Sequence, residues 1–440
     1  MHPLRVRCRA AQSGQSLLVA LGLLLVGGVA MFAMFSAGQV AAAKQRLTDT
    51  ADAAAWSAGL WRARVLNYHA YSNRAILANE VAIAQAVTLV SWSQYFESLM
   101  RNAAQLGTFV PAIEPLLAGV AEAALLARQS AELAAEIEIP ARGAEALGYK
   151  EILQTSQEIL HLSSQAFALN MVTAEVARAN DPGTFAWVLP DPSMSWQNFT
   201  VRGESDAQRQ RFADLVVASL DPFVAGPRTE DLLTPIPSLC LTLNRLRKRG
   251  TTTLSPDLER WEAIDSLSFH MRSLSWFRCK ESESVPLGWG AAEAGAELNS
   301  VTSTSGEVGI NPAANRLAAA SMFSAPSYAG IARVRELDYE QLANAQFPRS
   351  GLAVVARQEA GQVATAAKLG VGAGRMAVAD RFVGESAPRL WALSAAEVYF
   401  QRPVDAPART EYASLFNPYW QVRLVAPTAA QRLAAQAYAR

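Results

Sequence analysis

The chain has 440 residues, 51% of them hydrophobic, and its 39 basic and 39 acidic side chains cancel. That composition excludes a disordered chain, and the absence of a basic excess removes the electrostatic footprint a nucleic-acid binder carries. A chain of this length can bury one or two sizeable cores.

The first element is the most apolar. Ala10–Ala43 is 34 residues without a charged side chain. About 20 helical residues cross a hydrocarbon core of about 30 Å, because backbone amides in lipid must bond within their own helix. The spacing predicts a transmembrane helix over 15–37, with Leu17, Leu21, Leu24, Val26 and Phe32 as lipid-facing members. Arg5, Arg7 and Arg9 precede it and no acidic residue occurs before Asp49, which predicts a short cytoplasmic N-terminus (1–14) and an exported remainder. A cleaved signal peptide is the competing reading, with small residues for cleavage at Ser36-Ala37-Gly38. The apolar core exceeds the usual signal-peptide length of about 7 to 15 residues, which favours the anchor.

From Leu47 onward a seam recurs at four- and three-residue steps through Ala51, Ala54, Ala58, Trp61, Val65 and Tyr68 to Ile83 and Val90. Small residues on it predict close approach of a second helix along a stalk over 38–105. A rod continuous with the anchor would be about 135 Å long, so a break is expected, at Gly59 or around Gly107 to Pro111. Two helical runs follow, Leu116–Ile137 and Leu153–Arg178, separated at Ile139-Pro140-Ala141-Arg142-Gly143. They predict a hairpin over 106–180. Leu117, Val120, Ala124, Leu125, Ile159, Leu162, Phe167 and Met171 are expected to pack within the hairpin or on the stalk, and the stalk aromatics Trp56, Trp61, Tyr68 and Tyr71 to pack against the hairpin, the alternative being a partner's helix or the lipid interface.

Asn180-Asp181-Pro182-Gly183 is a strong turn signal and marks the start of an α+β domain over 181–440. Gln208–Ser219 reads as helix. Strand signals occur around Leu267, Phe269 and Met271, and at Ile331–Leu337, Leu352–Arg357, Leu390–Gln401 and Tyr419–Val425, with a turn or loop at Pro403–Arg409. Thr428 is placed to cap a final helix. Arg245–Arg249 reads as a solvated basic loop. If the domain is exported, Cys240 and Cys279 can pair in an oxidising compartment; two buried thiols are the alternative.

Motifs for chemistry are few. Asp191-Pro192-Ser193-Met194-Ser195 has the D-x-S-x-S spacing that can hold a divalent cation, but Pro190 and Pro192 point to a rigid turn, so Asp191, Ser193 and Ser195 are weak metal candidates. Gly370–Gly374 lacks a following lysine at phosphate-loop spacing. The four histidines, His2, His69, His161 and His270, lack zinc-ligand spacing and read as surface or stalk residues. Asn198-Phe199-Thr200 fits a glycosylation acceptor and carries little weight alone. No serine or cysteine sits in a nucleophile context, so the chain reads as a non-enzyme with no cofactor and no evident small-molecule substrate.

Gly14-Gln15-Ser16-Leu17-Leu18-Val19, Thr50–Ala58 and Asn67–Ala75 resemble the N-terminal region of TadE- and TadG-like proteins of Flp/Tad-type pilus-assembly systems. Arg211–Asp214, Pro286–Ala292 and Glu411–Trp420 extend that resemblance along the chain. It implies a single-pass protein of the bacterial inner membrane, its bulk periplasmic, that acts as a structural component of a pilus or related secretion apparatus through contacts with other envelope proteins. In pilin-like proteins a peptidase cuts after a glycine, which here is Gly14 before Gln15, and a glutamate at the fifth mature position aids assembly. That position is Val19, and Ser13 stands where a basic residue is usual, so the expectation is an uncleaved anchor. The alternative is a secreted or pseudopilin-like binding or adhesive protein released by N-terminal processing.

Overall fold

The computed structural model describes residues 15–107, 114–191, 195–238, 240, 242–275, 278–295, 308–325, 328–342, 344, 346–359, 362–363, 389–402 and 411–439. In chain order the elements are α1 (Gln15–Gly107), α2 (Glu114–Ser163), α3 (Ala166–Asn180), β1 (Thr184–Val188), β2 (Thr200–Arg202), α4 (Asp206–Ala218), α5 (Pro222–Ala225) and β3 (Glu230–Pro237). Then come β4 (Leu243–Leu254), β5 (Arg260–Ser275), β6 (Arg278–Gly295), α6 (Pro312–Ala320), β7 (Phe323–Ala325), β8 (Arg335–Leu337), β9 (Arg349–Glu359), β10 (Arg389–Phe400), β11 (Trp420–Val425) and α7 (Ala429–Ala439). The class is α+β: a four-stranded antiparallel sheet in the order β1-β9-β10-β11, a five-stranded sheet in the order β3-β4-β5-β6-β7, and a two-stranded β2-β8 ribbon. Of the strand expected over Ile331–Leu337, only β8 forms.

Helix α1 is one unbroken element of 93 residues, about 140 Å at 1.5 Å per residue. The break expected at Gly59 is absent because the helix is no free rod. Leu47, Ala51, Ala54, Ala55 and Ala58 pack with Leu169 and Ala177 of α3 and with Ala186, Leu352, Val354, Ala392 and Val422 of the four-stranded sheet. Further along, Ile83, Ala84, Val87 and Val90 pack with Trp261, Ala263 and Ala292 of the five-stranded sheet. The stretch read as a stalk is thus the common core on which both sheets lie, and the small-residue seam meets a sheet and a helix of its own chain. Gly59 allows close approach, since a Cβ there would lie 2.5 Å from Val422 Cγ2. Gly290 on β6 does the same: a Cβ would lie 2.1 Å from the Ser91 carbonyl oxygen.

Helix α2 also runs uninterrupted, through Pro140, where the sequence predicts a separation. Proline removes one backbone donor at a local cost of about 3 kcal/mol, which helix-forming neighbours and packing elsewhere absorb. The chain turns instead at Ser164 and Gln165. Helix α2 returns antiparallel along α1: Gln94 Nε2 bonds Glu132 (2.7 Å), Tyr68 Oη meets Ser156 Oγ (2.6 Å), and Trp61 Nε1 donates to Ser163 Oγ (3.2 Å). Ala124 is buried, but Ile159, Leu162, Phe167 and Met171, expected to pack inward, are exposed, Phe167 at 89%. Trp56 and Tyr71 are exposed as well.

The basic run Arg245–Arg249 is part of β4, not a loop, and two of its cations meet carboxylates of the same sheet: Arg247 pairs with Glu281 of β6 (2.6 Å) and Arg249 with Asp231 of β3 (2.7 Å). Beneath β4, buried Asp265 receives both Nε and Nη2 of Arg228 at 2.8 and 2.9 Å, and Ser91 Oγ of α1 at 2.9 Å. At the far end, Thr428 and Gln431 bond reciprocally to cap α7.

Gly290→Ala is expected to destabilise the domain by about 1–3 kcal/mol, because the added methyl meets α1 backbone. Gly119→Ala, with nothing within 4 Å, leaves the midpoint unchanged or slightly higher. Urea unfolding of the full chain in detergent, followed by tryptophan emission, separates the two.

Candidate functional site

Two parts of the molecule carry features beyond ordinary packing, and α1 joins them. The first is its N-terminal third. Leu17, Leu21, Leu24 and Val26 are exposed, Leu24 at 75%, and the most apolar window of the helix has no residue buried by the rest of the chain. Phe32 is half-buried and Ser36 buried. An exposed apolar surface this long in water is unfavourable at about 25 cal/mol per Å², whereas hydrocarbon accommodates it. Gln15 opens the helix; Gly14, the proposed processing position, lies outside the described residues. Ala51, Ala54, Ala58 and Val65 are buried and Trp61 is partly buried, so that seam offers no free face.

The second part is a polar knot on α1 between Arg62 and Glu80, beginning one turn past Ala58. Asn67 bonds Trp420 in both directions, Nδ2 to the carbonyl and Oδ1 from the amide, each at 3.0 Å. Asn73 Nδ2 donates to the carbonyls of Arg335 (2.7 Å) and Leu415 (2.8 Å), while its Oδ1 accepts from Gln157 of α2 (3.1 Å). Phe212 of α4 stacks on Phe416, with centroids 6.1 Å apart. Three sequence phrases that lie far apart, Asn67–Ala75, Arg211–Asp214 and Glu411–Trp420, therefore meet at one junction. Glu80 accepts from Tyr328 Oη (2.7 Å) and the Ala332 amide (3.0 Å), closing the far side.

Charge is buried here. Arg62 donates Nε to Ser164 O (3.1 Å) and lies 4.5 Å from the Trp196 ring centroid. Burial lowers its pKa to about 9, partly offset by Asp191, so it stays cationic at neutral pH. His69 and His161, read from the sequence as surface or stalk residues, are buried, as is His270, whose Nε2 lies 2.8 Å from Asn311 Oδ1. Both ring nitrogens of His69 lack hydrogen-bond partners among the described residues. Burial lowers its pKa to about 3, assisted by Arg335 and His161. His161 is lowered to about 4, first by burial and then by Arg335 and Arg62, with Glu158 opposing.

The remaining candidates are dispersed. Asp191 Oδ2 accepts the Ser195 amide at 3.0 Å and its hydroxyl at 2.5 Å, which closes a turn and engages two of the groups a cation would need. Ser193 lies outside the described residues, as do Gly370–Gly374. Among the described residues no group of three or more His, Cys, Asp or Glu side chains could hold a metal. Cys240 and Cys279 are joined by a disulfide, with Cα atoms 6.1 Å apart, tying the turn before β4 to the start of β6. The sequence reading missed the buried polar roles of Arg62, Asn67, Asn73 and Glu80. The available signal was their placement amid otherwise apolar helix, where a polar residue is retained at a cost unless paired.

These features define a chain with one bilayer-length apolar helix continuous with the core of an α+β domain. Residues 14–64 match the Tad family, described as Flp pilus-assembly TadE/G-like. The matched stretch covers the apolar helix and the first part of the buried seam. No curated protein and no solved structure matches the chain.

Two outcomes follow from the knot. Asn73→Ala leaves two buried carbonyls without their donor and is expected to destabilise the chain by about 1–3 kcal/mol in urea unfolding. The histidines make stability pH-dependent. Unfolded, each protonates near about pH 6.5; folded, they stay neutral down to about 4 (His161) and about 3 (His69), so unfolding takes up protons in that window. Their contribution is fully present above pH 6.5 and is lost as pH falls, by up to about 1.4 kcal/mol per unit per histidine. His69→Phe is expected to flatten the stability profile between pH 6 and 4, read by chemical denaturation at each pH; an unchanged slope refutes the assignment.

Proposed function

We propose that this chain is a membrane-anchored structural component of a Flp/Tad-type pilus-assembly or related secretion apparatus of the bacterial inner membrane, with its bulk in the periplasm. The observation that carries the reading is the match of residues 14–64 to a pilus-assembly family, falling on an exposed apolar helix of bilayer length. Because α1 continues without a break into the core between the sheets, anchor and domain are one rigid element, and the domain's height above the bilayer is fixed by the helix. Arg5, Arg7 and Arg9 support a cytoplasmic N-terminal side. The Cys240–Cys279 disulfide supports an oxidising compartment for the domain.

Action by contact fits the surface. The alanine seam is covered within the chain, so association with other assembly proteins falls to exposed apolar side chains such as Ile159, Leu162, Phe167 and Met171 on α2 and α3. The matched family is one of assembly rather than catalysis.

Alkaline carbonate extraction of cells expressing the chain with a C-terminal alkaline phosphatase tests the anchor and its direction together. The chain is expected to stay in the membrane fraction with the phosphatase active. A soluble form whose N-terminus lies near Gly38, or a full-length fusion whose phosphatase is inactive, refutes the reading; a membrane form starting at Gln15 replaces the uncleaved anchor with a processed one.

A further inference from the structure

We propose that the end of the domain nearest the anchor rests on the bilayer and binds anionic phospholipid headgroups, holding the domain flush with the membrane. The inference builds on the anchored reading above. If hydrocarbon covers about 20 residues from Leu17 to Ser36, Lys44 lies about 12 Å beyond it, within reach of the phosphates. At this height α1 meets the four-stranded sheet. Lys44 Nζ donates to the Trp391 carbonyl and lies 5.4 Å from the Trp391 ring centroid. Strand β10 then rises alongside α1, so that Ala396, five residues later, lies opposite Gly59. The strand's first residues are therefore its membrane-proximal ones.

Strand register assembles the base. Phe185 of β1, Arg357 of β9 and Trp391 of β10 are direct cross-strand partners in one row. Phe185 is 60% exposed. The partly buried Arg357 guanidinium lies 5.6 Å from the Trp187 ring centroid, with its Nε buried and without an acceptor among the described residues. Arg46 is exposed two residues further along α1, about 3 Å toward the domain and on another side of the helix. The carboxylates at this end are already engaged: Glu359 pairs with Arg389 (3.1 Å), Asp181 accepts from Gln358 (3.0 Å), and Asp49 accepts from Gln45 (2.9 Å). Cations without a carboxylate partner among the described residues, set beside tryptophan and phenylalanine rings, match the chemistry of a headgroup layer, where indoles sit at the interface and guanidinium and ammonium groups meet phosphate. A soluble anion would engage the cations alone; the apolar Phe185 and the fixed adjacency of the anchor favour the lipid surface.

The full chain in nanodiscs doped with a lipid that carries a nitroxide quencher on its headgroup tests this, in phosphatidylcholine with and without phosphatidylglycerol. Wild type is expected to lose tryptophan emission to the nitroxide, W391F to lose much of that quenching, and K44Q/R46Q to lose the extra quenching that phosphatidylglycerol brings. Quenching of W391F equal to wild type in both compositions, or a phosphatidylglycerol effect untouched by K44Q/R46Q, overturns the inference while leaving the anchor intact. A chain that carbonate strips from the bilayer sinks the anchored reading and this one with it. Native disulfide content and unchanged circular dichroism show that the conservative variants are folded.

Discussion

The structure depends on the burial of one helix by its small side chains. Alanines at 51, 54, 55 and 58 and glycine at 59 bring the four-stranded sheet close to the backbone of α1. Glycines 288 and 290 on β6 let the same helix approach the five-stranded sheet a few turns later. Close approach multiplies dispersion contacts that are individually about 0.1–0.2 kcal/mol. It also leaves no room for a larger side chain, so the packing constrains the whole length of the helix at once. Two sheets with different strand orders become one body because they share this element.

Such a helix carries a cost at its polar positions, and the fold meets it by long-range pairing. Arg62, Asn67, Asn73 and Glu80 would each be unfavourable on a buried helix without partners. Each is satisfied by carbonyls, amides or hydroxyls from segments 100 to 350 positions away, such as Ser164, Trp420, Leu415 and Tyr328. The C-terminal segment is thereby tied to the first third of the chain. His69 departs from this pattern, buried without a hydrogen-bond partner among the described residues and held neutral by burial and by the nearby Arg335 cation.

The continuity of α1 gives the functional reading its mechanical content. An anchor joined by a flexible linker would leave the domain free to tumble above the bilayer. A helix that leaves lipid and becomes the core of the domain transmits both depth and azimuth. On the anchored reading proposed above, the exposed apolar side chains of α2 and α3 stand at a set height, while the seam that looked available from sequence is already occupied within the chain.

Read alone, the sequence determined the bilayer-length apolar helix, the helical periodicity that follows it, the α+β class, the strands around Leu267, Leu352, Leu390 and Tyr419, and the cap at Thr428. These are local properties: hydropathy, a period of 3.6 or 2, and side chains bonding three residues away. Tertiary structure alone decided what covers each face. It placed sheets and α3 rather than a partner helix on the alanine seam, carried α2 through Pro140, turned Phe167 and Met171 outward, drew His69, His161 and His270 inward and made Arg245–Arg249 part of a strand. The physical reason is common to all of these. Periodicity says which residues share a face, whereas the occupant of the opposite face is chosen by contacts hundreds of positions away in the chain.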